Sequence, residues 1–402
     1  MTLSIKQRSG RNEQDDAIIS IEQDRIYNAK RAYTTRRADL TLSRYLLTGA
    51  QVPLAGDIVL ARVENIGQHQ RIELPEGRRS RLFIGDEVIV CYGARYAPDQ
   101  FEAHVPVDLG PCDLVAAGGL ASSMISKHAR MKNPTQLAPV GIIADSMGER
   151  LNIRRWGLSC TPEPKTLPPI IAAIGTSMNA GKTSCAKQIV HGLRKRGLKV
   201  GATKITGTGA GGDRWVLSDA GADIVLDFTD AGVPSTFGLN NQEIIETFKI
   251  LTGHLADQQV DVIVLEVADG LLHGETADLL QSPEFRSACD GIVFAAGDAM
   301  GSAGGVKTLR DWGLNVLSVS GFLTSSTLAM REAESLLDVP VIHTTDLAIT
   351  DFTTILKKDQ SPFDGFSLDA ERNNTRHDRV SAGVLNGQPQ SPDPALNAHS
   401  AL

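Results

Sequence analysis

Residues Ile170 to Gly197 read IIAAIGTSMNAGKTSCAKQIVHGLRKRG, and this stretch decides how the rest of the chain is parsed. An apolar run ends at Gly175, a polar loop follows, and Gly181-Lys182-Thr183 opens a segment with apolar residues at helical spacing. The first peptide N–H groups of a helix have no partner inside it, and the helix dipole leaves that end positive. A glycine-bearing loop running into such an end suits phosphate oxygens. Lys182 would then reach the β- and γ-phosphates, and the Thr183 hydroxyl would ligate Mg²⁺. In the strict spacing G-x-x-x-x-G-K-[ST] the first glycine would fall at Thr176; here it is Gly175, one residue earlier. The expected phosphate loop comprises Gly175, Thr176, Ser177, Met178, Asn179, Ala180, Gly181, Lys182, Thr183 and Ser184. Its ligand is expected to be ATP, with GTP left open, together with Mg²⁺. The competing reading is a glycine-bearing turn with a surface lysine.

Downstream, apolar runs recur as LKVGATK (198–204), ADIVLDF (222–228), VDVIVLEV (260–267), DGIVFAA (290–296) and LNVLSVSG (314–321). Stretches long enough for crossover helices separate them. Runs apolar on both faces, alternating with helices, predict a parallel sheet covered on both sides. A last strand, VPVIH (339–343), is expected after the helical TLAMREAESLL. From Lys358 on, the chain is polar and without periodicity, and residues 358–402 are expected to be a disordered tail.

Upstream, Thr161–Pro169 has four prolines in nine residues and is expected to be a linker. Before it, GDIVLARV, QRIELPEG and SRLFIGDEVIVCYG are short runs broken by turn residues, with Glu76-Gly77 placed for a hairpin. They predict a small antiparallel barrel or sandwich over about residues 50–110, with 111–160 a connector of short elements. Residues 1–45 are polar with mixed charge and read as a solvated helix or arm. The expected divisions are 1–50 arm, 51–160 small β-rich domain with connector, 161–169 linker, 170–357 phosphate-loop domain and 358–402 tail.

Composition narrows the function classes. The chain has 402 residues, 42% hydrophobic, which suggests two or three domains at ~100–200 residues each. Its 40 Lys and Arg against 47 Asp and Glu give a net charge of −7, so a broad grip on nucleic acid is not expected. Five scattered cysteines form no C-x-x-C pair and predict neither a disulfide framework nor a zinc site. The N-terminal MTLSIKQRSGRNEQDDAIIS has no apolar core, and no run approaches the ~20 residues of a membrane span. A cytoplasmic protein with no membrane partner is expected.

The loop GTSMNAGKT resembles the G-T-x-x-x-x-G-K-T loop of dethiobiotin synthetase, and also its relatives the cobyrinic acid a,c-diamide synthases and the septum-site ATPases. GLKVGATKITGTG is similar to that family's second strand, which puts Lys204 at its substrate-side lysine. Ser218-Asp219-Ala220 matches a Ser-Asp-Ala whose aspartate helps hold Mg²⁺, and VIVLEVADGLL carries over Glu266 as a metal-side acid. The resemblance covers about residues 168–345 and implies an α/β phosphate-loop NTPase domain with a mostly parallel sheet. It implies Lys182, Lys204 and Glu266 as catalytic, and Thr183, Asp219 and Glu266 around the metal. Ile205 stands where the family has proline, and Val267-Ala268-Asp269-Gly270 where it has Gly-Ala-Gly-Gly.

Further acids at strand ends or in the following loop, Asp213, Asp227 and Asp298, are secondary metal candidates, since ligands bind outside the carboxyl ends of such strands. The glycine-rich KITGTGAGGDRW is a candidate substrate loop, with Asp213-Arg214 able to close over it. Ser235, Thr236 and His273 are weaker candidates. Two functions stay open: a Mg-ATP-dependent enzyme that phosphorylates a small carboxylate or carbamate for ligation, and a nucleotide-switched regulatory or assembly ATPase or GTPase with the β-rich region as adaptor. The first expects a small-molecule substrate. A homodimer sharing the site is open under both.

Overall fold

The second half of the chain alternates strand and helix from Ile170. Numbered from there, β1 is Ile170–Gly175, α1 Lys182–Lys195, β2 Val200–Lys204, α2 Gly212–Asp219, β3 Ile224–Asp227, α3 Asn241–Asp257 and β4 Val262–Glu266. Then come α4 Gly274–Gln281, α5 Pro283–Ala288, β5 Gly291–Ala295, α6 Ala299–Asp311, β6 Val316–Ser320 and α7 Thr327–Leu336. The six strands form one sheet in the order β3-β2-β4-β1-β5-β6, and every adjacent pair is parallel. The computed structural model describes residues 17–160 and 166–352. The start of the expected arm, most of the proline-rich stretch and the expected tail lie outside the described residues.

Both faces of the sheet are covered. Ile170, Ala172 and Ile174 of β1 join a core with Phe248, Leu251 and Leu255 of α3. Ile171 and Ala173, one residue out of phase, join Cys185, Ile189 and Val190 of α1. A strand buried on both sides needs apolar residues at every position, and each such Ile or Leu is worth about 1.5–3 kcal/mol relative to exposure. The strand expected over Val339–His343 reduces to one parallel bridge, Val341 to Val319.

Residues 17–160 are mostly short strands. Thr135–Ala144 pairs with Ile58–Asn65, which pairs with Glu87–Tyr92; that strand runs parallel to Leu120–Lys127. Leu120–Lys127 pairs with Cys112–Ala116, which returns to Thr135–Ala144 and closes a ring of five strands. Three of these strands come from residues 111–160, which the sequence pattern had made a connector. Gly118-Gly119 and Pro134 at their ends, and Pro139 inside Thr135–Ala144, concealed them. Neither do residues 17–50 behave as a solvated arm: Ala32 and Tyr33 are fully buried, and Leu46 nearly so. Part of the polar look of that segment comes from Arg36 and Arg37, whose charges are spent on buried carboxylates of the other half.

The two halves belong to one compact unit. Arg36 Nη2 lies 2.6 Å from Asp230 Oδ1 and 3.2 Å from Asp227 Oδ1. Its guanidinium also stacks 4.1 Å from the Tyr33 ring centroid, and the Tyr33 hydroxyl donates to Asp227 Oδ2. Glu73, on the strand Arg71–Glu73, accepts from Trp215 Nε1 at 2.8 Å and from the Gly211 peptide N–H at 3.0 Å. Buried charges and polar groups with this many partners fix one relative arrangement of the elements they join.

Candidate functional site

Strand order puts the chemistry together. β4 lies between β1 and β2, and its last residue, Glu266, is in register with Ala173 on one side and Lys204 on the other. The loop after β1 and the side chains of Lys204 and Glu266 therefore converge at one edge of the sheet. There they border a cavity of about 590 Å³.

The loop from Gly175 to Gly181 turns tightly into α1. Gly181 has φ +102, a left-handed conformation that side chains resist, and it caps the helix without a side chain. A Cβ on Gly175 would lie 2.9 Å from both the Ala295 carbonyl oxygen and Lys182 Cγ, so only glycine lets the loop leave the sheet there. Thr176 N–H donates to Ala295 O at 3.0 Å and Phe322 N–H to Ala180 O at 2.8 Å, tying the loop to β5 and to the turn after β6. Asn179 also has positive φ, and its amide donates to Asp99 Oδ2 of the β-rich half at 2.6 Å. Met178, Asn179, Gly181, Lys182, Thr183 and Ser184 line the cavity, whereas Gly175, Thr176, Ser177 and Ala180 do not.

Around the start of α1, four charged side chains and one hydroxyl interlock. Thr183 Oγ1 is 2.9 Å from Glu266 Oε1 and 3.1 Å from Asp213 Oδ1, so one hydroxyl proton serves two carboxylates. Lys204 Nζ pairs with Asp213 Oδ2, and Lys182 Nζ donates to Ser177 O at 2.7 Å. Glu266 is 2% exposed, and its Oε2 has no hydrogen-bond partner. Desolvation, with Asp213 nearby, pushes its carboxyl up to about 7 against the pull of Lys204 and Lys182. Burial lowers the Lys182 ammonium, partly offset by Glu266 and Asp269. Burial also opposes the charge on Lys204, but Asp213 and Glu266 overcome it and hold that ammonium above its ordinary value.

Mg²⁺ takes oxygen ligands and usually keeps phosphate oxygens and waters, so it needs only one or two carboxylates from a protein. Thr183, Glu266 and Asp213 offer such oxygens, and the orphaned Oε2 of Glu266 is a ligand atom with nothing else to do. The residues fit the ion. Among the described residues no group of three or more His, Cys, Asp or Glu is arranged to hold a metal by itself.

The remaining candidates are placed elsewhere. Asp219 ends α2, and with Lys187, Gln188 and His191 it lines a separate surface pocket. Asp213 at the start of the same helix, about 9 Å away along its axis, holds the place beside Thr183 instead. Asp227 is engaged by Arg36, Tyr33 and Thr229, and Asp298 caps α6 by accepting from Gly301 N–H at 2.7 Å. Thr236 Oγ1 accepts from Gly207 N–H at 2.8 Å, and Ser235 forms a bridge with Thr208, so both brace the glycine-rich loop. Gly207 and Thr208 reach the cavity, whereas Arg214 turns away to Asp230 at 2.8 Å. His273 pairs with Glu275 at 2.9 Å and packs on the Tyr96 ring.

Sequence reasoning missed a whole wall. His69, Arg79, Arg95, Tyr96 and Gln100 of the β-rich half line the same cavity, as does Asp269 after β4. No spacing or motif marks them, because they reach the site only through the packing of one half on the other.

No protein-family model matches the sequence, and no curated protein sequence matches it. Among solved structures, the signal recognition particle receptor FtsY from Elizabethkingia anophelis, in complex with GDP, aligns at 14% identity and TM-score 0.32, over 52% of this chain and 69% of that one. The signal recognition particle 54 kDa protein from Aeropyrum pernix K1, also with GDP, aligns at 17% identity and TM-score 0.32, over 47% and 44%. The kinase domain of the Escherichia coli tyrosine kinase ETK aligns at 14% and 0.29, over 39% and 68%. At such scores the likeness says nothing about ligands. Among the described residues, no helix is long and apolar enough to cross a membrane.

Proposed function

We propose that the chain is a nucleotide-dependent enzyme. It would bind Mg-ATP, or Mg-GTP, on the loop from Gly175 to Ser184 and pass the terminal phosphoryl group to a small carboxylate or carbamate, in the manner of dethiobiotin synthetase. The observation that carries this reading is the Thr183 hydroxyl between Glu266 and Asp213, at the N-terminus of α1 and flanked by Lys182 and Lys204. Phosphoryl transfer asks little covalent work of a protein; it asks for in-line positioning and for positive charge where the phosphate oxygens gather it. Bound Mg²⁺ would supply the Lewis acid that neutralises those oxygens. Glu266 and Thr183, with Asp213, would hold it. Lys182 swings from the Ser177 carbonyl to the phosphates, and the peptide N–H groups at the start of α1 take the remaining oxygens. Lys204, kept protonated by Asp213, faces the same space and steadies the negative charge passing from donor to acceptor.

A calorimetric titration of the full chain with Mg-ATP and Mg-GTP tests this directly. Saturable binding that Lys182→Ala abolishes, and phosphate release stimulated by a small organic acid, are expected. Equal affinity in wild type and Lys182→Ala would sink the phosphate-loop reading. Binding without any acid-stimulated release would favour the regulatory switch.

A further inference from the structure

Arg95 begins the short strand Arg95–Tyr96, paired with Phe101–His104, and its side chain lines the cavity. It is 6% exposed. Nη2 donates to the neutral amide oxygen of Gln100 at 2.9 Å, but Nε and Nη1 are buried with no hydrogen-bond partner. A buried guanidinium in that condition is costly: it has given up water, two of its nitrogens hydrogen-bond to nothing, and Asp269 favours its charge only through space, without a salt bridge. Arg36 shows how this same chain treats an arginine buried for structure: two carboxylates, a hydroxyl and a ring surround it. Arg95 has the ring contact, to Phe101, and a neutral amide in place of the carboxylates.

We propose that Arg95 is an anion subsite that holds a carboxylate of the substrate, on the wall the β-rich half contributes to the nucleotide cavity. The planar fork of donors matches a carboxylate in size and geometry. The surrounding charges favour a singly charged group at this subsite, one carboxylate rather than a phosphate dianion. His69, beside it in the lining, is uncharged at neutral pH, because burial and the neighbouring Arg95 depress it to about 4. Its Nδ1 lies 3.1 Å from the Leu114 carbonyl, which can only accept, so Nδ1 carries the proton. Asp269, also in the lining, repels a doubly charged group more than a singly charged one. Arg79 is exposed at the same cavity, where it can draw an anion in. This inference builds on the phosphoryl-transfer reading only for what the acid is used for; the subsite itself needs no nucleotide.

The test is a melting-temperature and calorimetric titration of the full chain with malonate, succinate, glutarate and inorganic phosphate, in wild type, Arg95→Met, Arg95→Lys and Lys182→Ala. At least one of the three acids should bind saturably and raise the melting temperature of wild type and of Lys182→Ala. Arg95→Met should lose that response while melting no lower than wild type, since it removes a buried unpaired charge. Arg95→Lys should keep it about 10- to 100-fold weaker, the worth of one charge-assisted bidentate contact. A response kept in Arg95→Met but lost in Lys182→Ala would put the acid in the phosphate loop and overturn the proposal. So would inorganic phosphate binding at Arg95 in preference to every acid, or no response to any of the three. Failure of Mg-ATP to bind while an acid still binds through Arg95 would sink the nucleotide reading and leave the subsite standing.

Discussion

Replacing Glu266 by glutamine should stabilise the metal-free protein at pH 8 and do little at pH 5. The carboxyl is buried, half of its hydrogen-bonding capacity is unmet, and its pKa is raised from 4.5 to about 7. Below pH 4.5 it is protonated in both folded and unfolded chains and costs nothing. As pH rises, the unfolded chain releases that proton first, so stability falls by up to ~1.4 kcal/mol per pH unit until the folded carboxyl ionises too. Integrated, the cost is about 1 kcal/mol at pH 5 and about 3 kcal/mol at pH 8. Glutamine keeps the volume and can still accept from Thr183, so its stability has no such slope from this position. Urea unfolding in metal-free buffer at the two pH values reads the effect, and the mutant-minus-wild-type difference should grow by about 2 kcal/mol from pH 5 to pH 8. Comparing the two proteins cancels His273, whose pKa is also raised. A difference that stays constant with pH, or a mutant less stable at pH 8, would refute the reasoning. It would mean that Lys182 and Lys204 hold Glu266 ionised in the absence of a cation.

Arg36→Ala should cost about 3 kcal/mol or more in urea unfolding, because it strands Asp227 and part of Asp230 as buried charges; a loss under about 1 kcal/mol would deny that this cluster joins the two halves. Asp213→Asn should cut nucleotide turnover by roughly 10²-fold whereas Asp219→Asn leaves it within about twofold, since Asp219 faces Lys187 and His191; the reverse order in steady-state assays would return the metal to Asp219. A fragment beginning near Thr161, which the strand and helix pattern alone would let fold, should instead melt lower or aggregate, because it uncovers Asp227, Asp230 and Trp215. A fragment that melts and binds nucleotide like the full chain would show the β-rich half to be dispensable.

The parallel sheet was legible because burial on two faces writes itself as continuous apolar runs, and six of those runs are six strands. Lys182, Thr183, Lys204 and Glu266 were legible for a related reason: each is a polar residue at the end of such a run or at the loop it feeds, and strand ends meet at one edge. Asp219 shows the limit of that logic. The resemblance placed Asp219 at the metal, but a helix has two ends, and the end that faces Thr183 carries Asp213. The β-rich half was less legible because its strands are short and broken by glycine and proline. Two of its five ring strands are central to the runs GDIVLARV and DEVIVCYG; the other three lie in what looked like a connector. Tyr33 and Glu73 left no trace at all, since the partner of the first is 194 residues away and those of the second 142 and 138; Arg95 left none because no sequence pattern marks a cavity wall.

The open edge of a parallel sheet explains why the missing wall matters. A phosphate loop with its lysine and threonine grips one end of a nucleotide, but the acceptor in phosphoryl transfer must be held in line and away from water. The β-rich half supplies the cover, and it does more than cover. Asp99 accepts from Asn179, a loop residue with φ 64 that costs backbone strain. Glu73 fixes the start of α2 through Gly211 N–H and Trp215, and α2 carries Asp213 to Thr183. The same half that presents Arg95 thus also braces the loop from Gly175 to Gly181 and the position of Asp213 beside Thr183. An acceptor bound at Arg95 and a nucleotide bound at Lys182 would therefore act on one rigid frame, and that is the physical basis for expecting each to tighten the other.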